Sequence, residues 1–203
     1  MIVELIAIAS ILSFCVSHSI LASNYMKKVI PLSQMYYRLF YTFVSGISLI
    51  ILSIILTSLS NDLNHIEIKP LVNSSAETTI LTYILVVIGG IFVIGSVIQT
   101  NPLKFIGLLP EDANTDFRAN YFYRFSRHPM YTGAILLFLP TIFLASNMIW
   151  ILQNALFILY FIIGSLHEEY RLKQFFSGYS ESMYKRGHLF PWKKQHILSL
   201  LGK

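Results

Sequence analysis

The chain carries a single cysteine, Cys15, among its 203 residues. One thiol cannot build a disulfide framework or a multi-cysteine zinc site, and no metal cluster of any kind is apparent in the sequence. Charge is scarce as well. Asp, Glu, Lys and Arg make up 12% of the residues against 55% for hydrophobic ones, and mean hydropathy is +0.62. That balance leaves too much apolar surface for a soluble domain of this length. No internal repeat and no low-complexity linker divides the chain, which reads as one domain over 1–203. The glycine-rich stretch GGIFVIG holds Gly89, Gly90 and Gly95, but no strand precedes it, so it is not a phosphate loop. Small residues at membrane depth are expected instead to let helices approach closely.

What is abundant is apolar sequence in long runs. An apolar run of about 18 residues or more reads as a membrane-spanning helix, because ~20 residues at 1.5 Å rise cross a ~30 Å hydrocarbon core. Five are expected, at about 2–22, 38–59, 79–98, 131–146 and 148–166. The fourth is short and interrupted by Pro140, so the last two read as one tight hairpin turning near Ser146-Asn147. Backbone groups in lipid must be satisfied within their own segment, so the spans are helices and the fold is all-α and multi-pass. The first run has Glu4 where a signal peptide has a basic region, together with a poor cleavage pattern, so it is expected to be a retained helix.

The net charge of +5 raises the question of nucleic acid, and its distribution answers it. If the first residue faces outside, 14 of the 15 Lys and Arg fall in the loops 23–37 and 99–130, at the start of helix two, or in the tail after 166. Lys69 alone lies on the other side. This is the positive-inside asymmetry of a multi-pass protein with its C-terminus in the cytosol, and its partners are membrane lipids, not nucleic acid. No obligate protein partner is evident. Three spans occupy 1–98; a long inner loop, the hairpin and a tail occupy 99–192. The loop is long for a connector, which points to function, and a surface helix near 115–126 is expected in it. The tail is expected to continue span five as a helix. Gly178 and Gly187 interrupt it, and Pro191 and Trp192 end it, with Trp192 as an interfacial anchor.

Two clusters flank the hairpin. YFYRFSRHPMYTG (121–133) precedes it and HEEYR (167–171) follows it. Span four carries the chain about 24 Å inward from one face and span five about 28 Å back, so both clusters return to the same depth. Glu168 and Glu169 are then expected to face Arg127, His128 and Tyr131. A structural salt bridge at the headgroups is the plain alternative. Against it, Pro129 removes an amide donor and disfavours helix at His128, and ionisable groups at the margin of membrane helices usually mark a site.

RHPMYTG, followed after the hairpin by EEYRLKQFFSGY, resembles the RHPxYxG … EExxLxxxFGxxY signature of the integral-membrane methyltransferases. Isoprenylcysteine carboxyl methyltransferase and the phospholipid methyltransferases are among them. HSILASNYMKK and YYRLFYTFVSG, in the first half, resemble the NnrU and methanethiol S-methyltransferase branch. The resemblance implies S-adenosylmethionine bound at the cytosolic end of the last two helices and methyl transfer to a small or lipophilic thiol, carboxylate or amine. Carried onto this chain, His128, Pro129, Tyr131, Gly133, Glu168, Glu169 and Tyr179 would line the cofactor pocket, with Leu172 the leucine after the acidic pair. Ser182 stands where the family often has a second tyrosine, and FSG replaces FG, which leaves the tail register open, with Tyr184 as a candidate substitute.

Glu168 is expected to accept hydrogen bonds from ribose hydroxyls or the amino group, with Glu169 orienting Arg127 or Arg171, or sharing that role. Arg127 or Arg124 would pair with the cofactor carboxylate. His18, near the inner end of helix one, is a candidate proton acceptor for a thiol or amine, or a histidine bonded between helices. His65, His188 and His196 are expected to be solvated. Arg127, Glu168 and His18 are thus the residues expected to act in the reaction. Two other readings stay open: an NnrU-like non-enzymatic membrane protein in which the clusters are structural, and an NADPH-dependent enzyme of the sterol-reductase arrangement.

Overall fold

The structure, a computed structural model, describes residues 1–62, 65–109, 121–175, 179 and 186–191. Among the described residues there are eight helices: α1 (Ile2–Ala22), α2 (Asn24–Val29), α3 (Gln34–Ser60), α4 (Ala76–Gln99), α5 (Pro102–Ile106), α6 (Phe122–Phe125), α7 (Pro129–Leu144) and α8 (Met148–Phe175). Four of them, α1, α3, α4 and α8, are long and apolar enough to cross a membrane, and α7 is apolar but only 16 residues long. The protein is therefore all-α and multi-pass. Helix α7 runs through Pro140, contrary to the expected interruption, although a proline cannot donate a backbone bond there.

The chain falls into two compact units, one of residues 1–74, 100–111 and 141–157, the other of residues 75–99, 112–140 and 158–203. In the first, α1 buries Val3, Ala7, Ile11 and Cys15. A spacing of four residues puts these on one stripe, which packs on α3, where Leu52, Leu56 and Ser60 repeat the spacing. Tyr37 donates from its hydroxyl to the Leu21 carbonyl at 2.6 Å, tying the start of α3 to the end of α1. The short helix α5 begins at Asn101, whose side chain accepts from the Leu103 amide, and stops at Gly107 with φ +90°. A Cβ at Gly107 would lie 2.5 Å from the Leu39 nitrogen, so both the conformation and the space require glycine.

The turn between α7 and α8 falls at Ser146-Asn147, as expected. It is held by the loop before α4: Ile68 donates to Ser146 O, Met148 donates to Ile66 O, and Glu67 and Asn147 form an isolated antiparallel bridge. Buried Glu4 accepts from the Ile66 amide at 2.8 Å. Asn147 works in both directions. Its Oδ1 accepts from the Ile149 amide at 2.9 Å, capping α8, and its Nδ2 donates to Ser60 O at 3.0 Å. Replacing Asn147 with Ala removes both bonds. A loss of about 1–2 kcal/mol is expected, read as a lowered unfolding midpoint in detergent.

In the second unit, α4 and α7 touch through glycine. A Cβ built on Gly133 would stand 2.6 Å from the Gly89 carbonyl oxygen, and one on Gly89 would stand 2.7 Å from Gly133 O. Gly95 gives its space to the Phe122 ring, whereas Gly90 has nothing within 4 Å. The expected role of the GGIFVIG glycines thus holds for Gly89 and Gly95 and not for Gly90. Phe92 meets the rings of Phe122 and Phe125 edge-on, seating α6 on α4. The surface helix expected near 115–126 is present at Phe122–Phe125; its earlier part, like Gly178, Ser182, Tyr184, Trp192 and His196, lies outside the described residues.

Candidate functional site

The second unit brings the two clusters together. The start of α7 is shaped by Pro129, which forces residues 126–128 out of the helix and leaves the His128 carbonyl to accept from the Thr132 amide at 3.0 Å. Thr132 Oγ1 also bonds to Leu189 O, and the Arg127 amide donates to Gly187 O at 3.2 Å. The tail segment 186–191 is thereby strapped across the beginning of α7. The end of α8 supplies the acids. Its polar last turns, HEEYRLKQ, are made of good helix formers, which is why the helix outlasts the apolar run and reaches Phe175.

Adjacent residues on a helix point about 100° apart, so α8 can bury only one of its two glutamates in a given direction. The buried one is Glu169, 7% exposed. Its Oε1 lies 2.9 Å from Arg127 Nη2, 2.8 Å from His188 Nδ1 and 3.4 Å from His128 Nε2. Arg127 and His128 are themselves buried, at 6% and 4% exposure. The side chain of Glu168 is 44% exposed, and its Oε2 lies 3.7 Å from His128 Nδ1. Tyr179 is fully buried, with its hydroxyl 3.4 Å from His128 Nε2. Burial, the negative charges of Glu169 and Glu168 and the opposing charge of Arg127 leave the Tyr179 phenol well above the ordinary tyrosine range, so it stays a donor. Tyr123 is shifted upward too, by burial and then by Glu168.

Each expected site residue has a definite place. Arg127, His128, Glu168, Glu169 and Tyr179 meet as anticipated, and of the partners considered for Glu169, Arg127 is the one it takes. Tyr131 stands edge-on to the His128 ring, 5.9 Å between centroids, and lies 3.3 Å from a Cβ built at Gly164. Pro129 is buried at the first turn. Gly133 is given over to the contact with Gly89. His167 and Arg124 are exposed. His18 belongs to the first unit, where Ser45 Oγ lies 3.0 Å from Nδ1 and Tyr41 OH 2.6 Å from Nε2. Both ring nitrogens are engaged, as they are in a histidine bonded between helices.

Two expectations are corrected. His65 is not solvated: its ring is 17% exposed and Nδ1 lies 2.5 Å from Asp62 O. His188 is not solvated either. Its ring is 14% exposed and sits between Glu169 and Ser165 Oγ, the latter at 2.8 Å. Burial pushes the His188 imidazole below the ordinary histidine range, with Glu169 pulling it upward and His128 and Arg127 adding to the depression. A signal was present: GHLFP places His188 between a glycine and apolar residues ending in proline, a composition suited to a fixed strap more than to a solvated tail.

The fold and the cluster define a class, a multi-pass helical membrane protein with a buried acid–imidazole–guanidinium site where α7 begins and α8 ends. Within that class, residues 6–195 match the family described as NnrU protein, and the chain belongs to the NnrU family. Comparison with curated proteins and with solved structures gave no match.

Proposed function

We propose that the cluster binds S-adenosylmethionine and that the protein transfers its methyl group to a small or lipophilic thiol, carboxylate or amine at the cytosolic membrane face. The observation that carries this reading is the division of labour between the two glutamates. Glu169 is buried and ion-paired with Arg127, whereas Glu168, held beside His128, keeps a carboxylate 44% exposed at the edge of the cluster. The side chains suit the cofactor: a half-exposed carboxylate for hydroxyls or an amino group, aromatic rings for a sulfonium, and a surface arginine.

When bound, S-adenosylmethionine supplies an electrophilic methyl group on a cationic sulfur. The work left to the chain is recognition and orientation more than acid–base relay. Glu168 accepts hydrogen bonds from ribose hydroxyls or the amino group. Tyr131 offers a ring face to the sulfonium, worth roughly 0.5–2 kcal/mol. Arg124 is the candidate for the cofactor carboxylate, because Arg127 is committed to holding Glu169. His128, Pro129, Glu169 and Tyr179 form the wall behind these groups, and Gly133 seats α7 on α4 beneath them. A part for His18 as proton acceptor requires it to release Ser45 or Tyr41. In this reading the basic loops face the cytosol and the N-terminus lies outside.

A non-enzymatic role in the NnrU manner draws its support from the Arg127–Glu169 pair, which would serve a purely structural cluster equally well. The two readings part in a methylation screen. Labelled S-adenosylmethionine is supplied to the purified protein with thiols, prenylcysteines and phospholipid amines as acceptors. Incorporation into one class, reduced at least about tenfold in folded Glu168→Ala, is expected; such a loss corresponds to about 1.4 kcal/mol of transition-state stabilisation. No incorporation into any of them by folded protein favours the structural role.

A further inference from the structure

We propose that His128, Glu169 and His188 form a site for a divalent transition-metal ion of the zinc or iron(II) class. This goes beyond the methyl-transfer reading and does not depend on it. Each residue offers one ligand atom, and the three atoms lie within 4.8 Å of one another. They come from three separate segments: the residue before α7, the last turns of α8 and the tail strap. Ligands bonded to zinc at about 2.0–2.2 Å in a tetrahedral arrangement stand about 3.4 Å apart. His128 Nε2 is already 3.4 Å from Glu169 Oε1, and His188 Nδ1 is 2.8 Å from it.

The hydrogen-bond ledger says what is missing between them. Ser165 Oγ has one proton and donates it to Ile162 O at 2.7 Å. Toward His188 Nε2, at 2.8 Å, the hydroxyl can then only accept, so that nitrogen carries the ring proton. In the neutral ring Nδ1 is left with a lone pair, and it points at a carboxylate oxygen. At His128, Nδ1 faces Glu168 Oε2, and Nε2 is turned toward the Tyr179 hydroxyl and Glu169 Oε1. At His188 an acceptor nitrogen thus faces an acceptor oxygen in a buried place. Glu169 Oε1 is buried and, despite its short distances to Arg127 and both histidines, meets none of them with hydrogen-bond geometry. A cation among the three atoms resolves the conflict at once.

The surroundings match what metal sites require. Ligating histidines engage their second nitrogen with a carboxylate or another oxygen, which fixes ring orientation. Here Glu168 and Ser165 stand in those positions, and Arg127 orients the ligating glutamate. Three protein ligands of this kind leave a coordination position open, as catalytic sites do and closed structural sites do not.

The test uses the full chain purified in detergent, stripped with a chelator and dialysed against limiting zinc, with metal measured by mass spectrometry. About one zinc per chain is expected, lost in His188→Ala and in Glu169→Gln, retained in His167→Ala, and weakened about 10–100-fold in Ser165→Ala. Cobalt(II) in place of zinc is expected to give the ligand-field bands of a nitrogen–oxygen site. Gel filtration reports folding, and Ser165→Ala decides the matter if the ligand variants misfold. Zinc left unbound by the folded native chain, or bound equally well by folded His188→Ala or Ser165→Ala, overturns the site and leaves a protonated His188 as the bridge to Glu169. Titration with S-adenosylmethionine is a separate measurement on the same preparations, so failure of one idea is distinguishable from failure of the other.

Discussion

Arg127→Ala is expected to lower stability by about 3–5 kcal/mol, the cost of leaving one member of a buried ion pair without its partner. Both side chains are more than nine-tenths buried and stand 2.9 Å apart, so solvent neither screens the pair nor compensates its loss. The alanine variant strands the Glu169 carboxylate among His188, His128 and the Tyr179 phenol. Replacing both members separates this effect from simple truncation. Arg127→Ala with Glu169→Ala is expected to cost clearly less than the two single changes added together, because the double variant buries no lone charge. Denaturant or thermal unfolding of the four proteins in one detergent gives the coupling. Independent, additive effects would mean that the pair contributes nothing beyond its packing.

Gly133→Ala is the second large effect. The added Cβ would meet Gly89 O at 2.6 Å, Phe92 Cβ at 2.8 Å and the Val93 nitrogen at 2.8 Å. Two of these are backbone atoms of α4 and cannot swing aside, so α4 and α7 must separate. Overpacking of this kind costs about 1–3 kcal/mol. Because Gly133 is one turn beyond Pro129, displacement of α7 also shifts His128, and ligand binding at the cluster is expected to weaken with stability. Gly90→Ala is the matched control. With nothing within 4 Å of its Cβ, it is expected to be neutral or stabilising by up to about 1 kcal/mol. Equal effects of the two substitutions would contradict the helix contact.

Much of this was legible in the sequence. Hydropathy located the long helices of the described residues, since a run that tolerates lipid must be apolar throughout and satisfy its own backbone. It stopped short at the start of α3, which begins at Gln34, because polar residues sustain helix outside the hydrocarbon; the expected helical continuation of span five into the tail is present as far as Phe175. The hairpin turn at Ser146-Asn147 and the meeting of Glu168 and Glu169 with Arg127 and His128 followed from span lengths alone. Which glutamate is buried did not follow. It depends on the rotation of α8 about its axis, and the two neighbours are chemically identical. His188 was missed for a related reason. Its burial depends on where the tail returns, which is fixed by Thr132 and the Arg127 amide bonding to carbonyls of the strap; GHLFP signals a fixed segment but not where it docks. His65 was missed likewise, through a bond to the Asp62 carbonyl.

Calorimetric titration of the purified chain with S-adenosylmethionine, repeated with NADPH as competitor, addresses the proposed function most directly. Saturable binding of S-adenosylmethionine is expected, untouched by NADPH and lost in folded Glu168→Ala. Heat from NADPH alone, or equal S-adenosylmethionine binding by the native chain and folded Glu168→Ala, would contradict it.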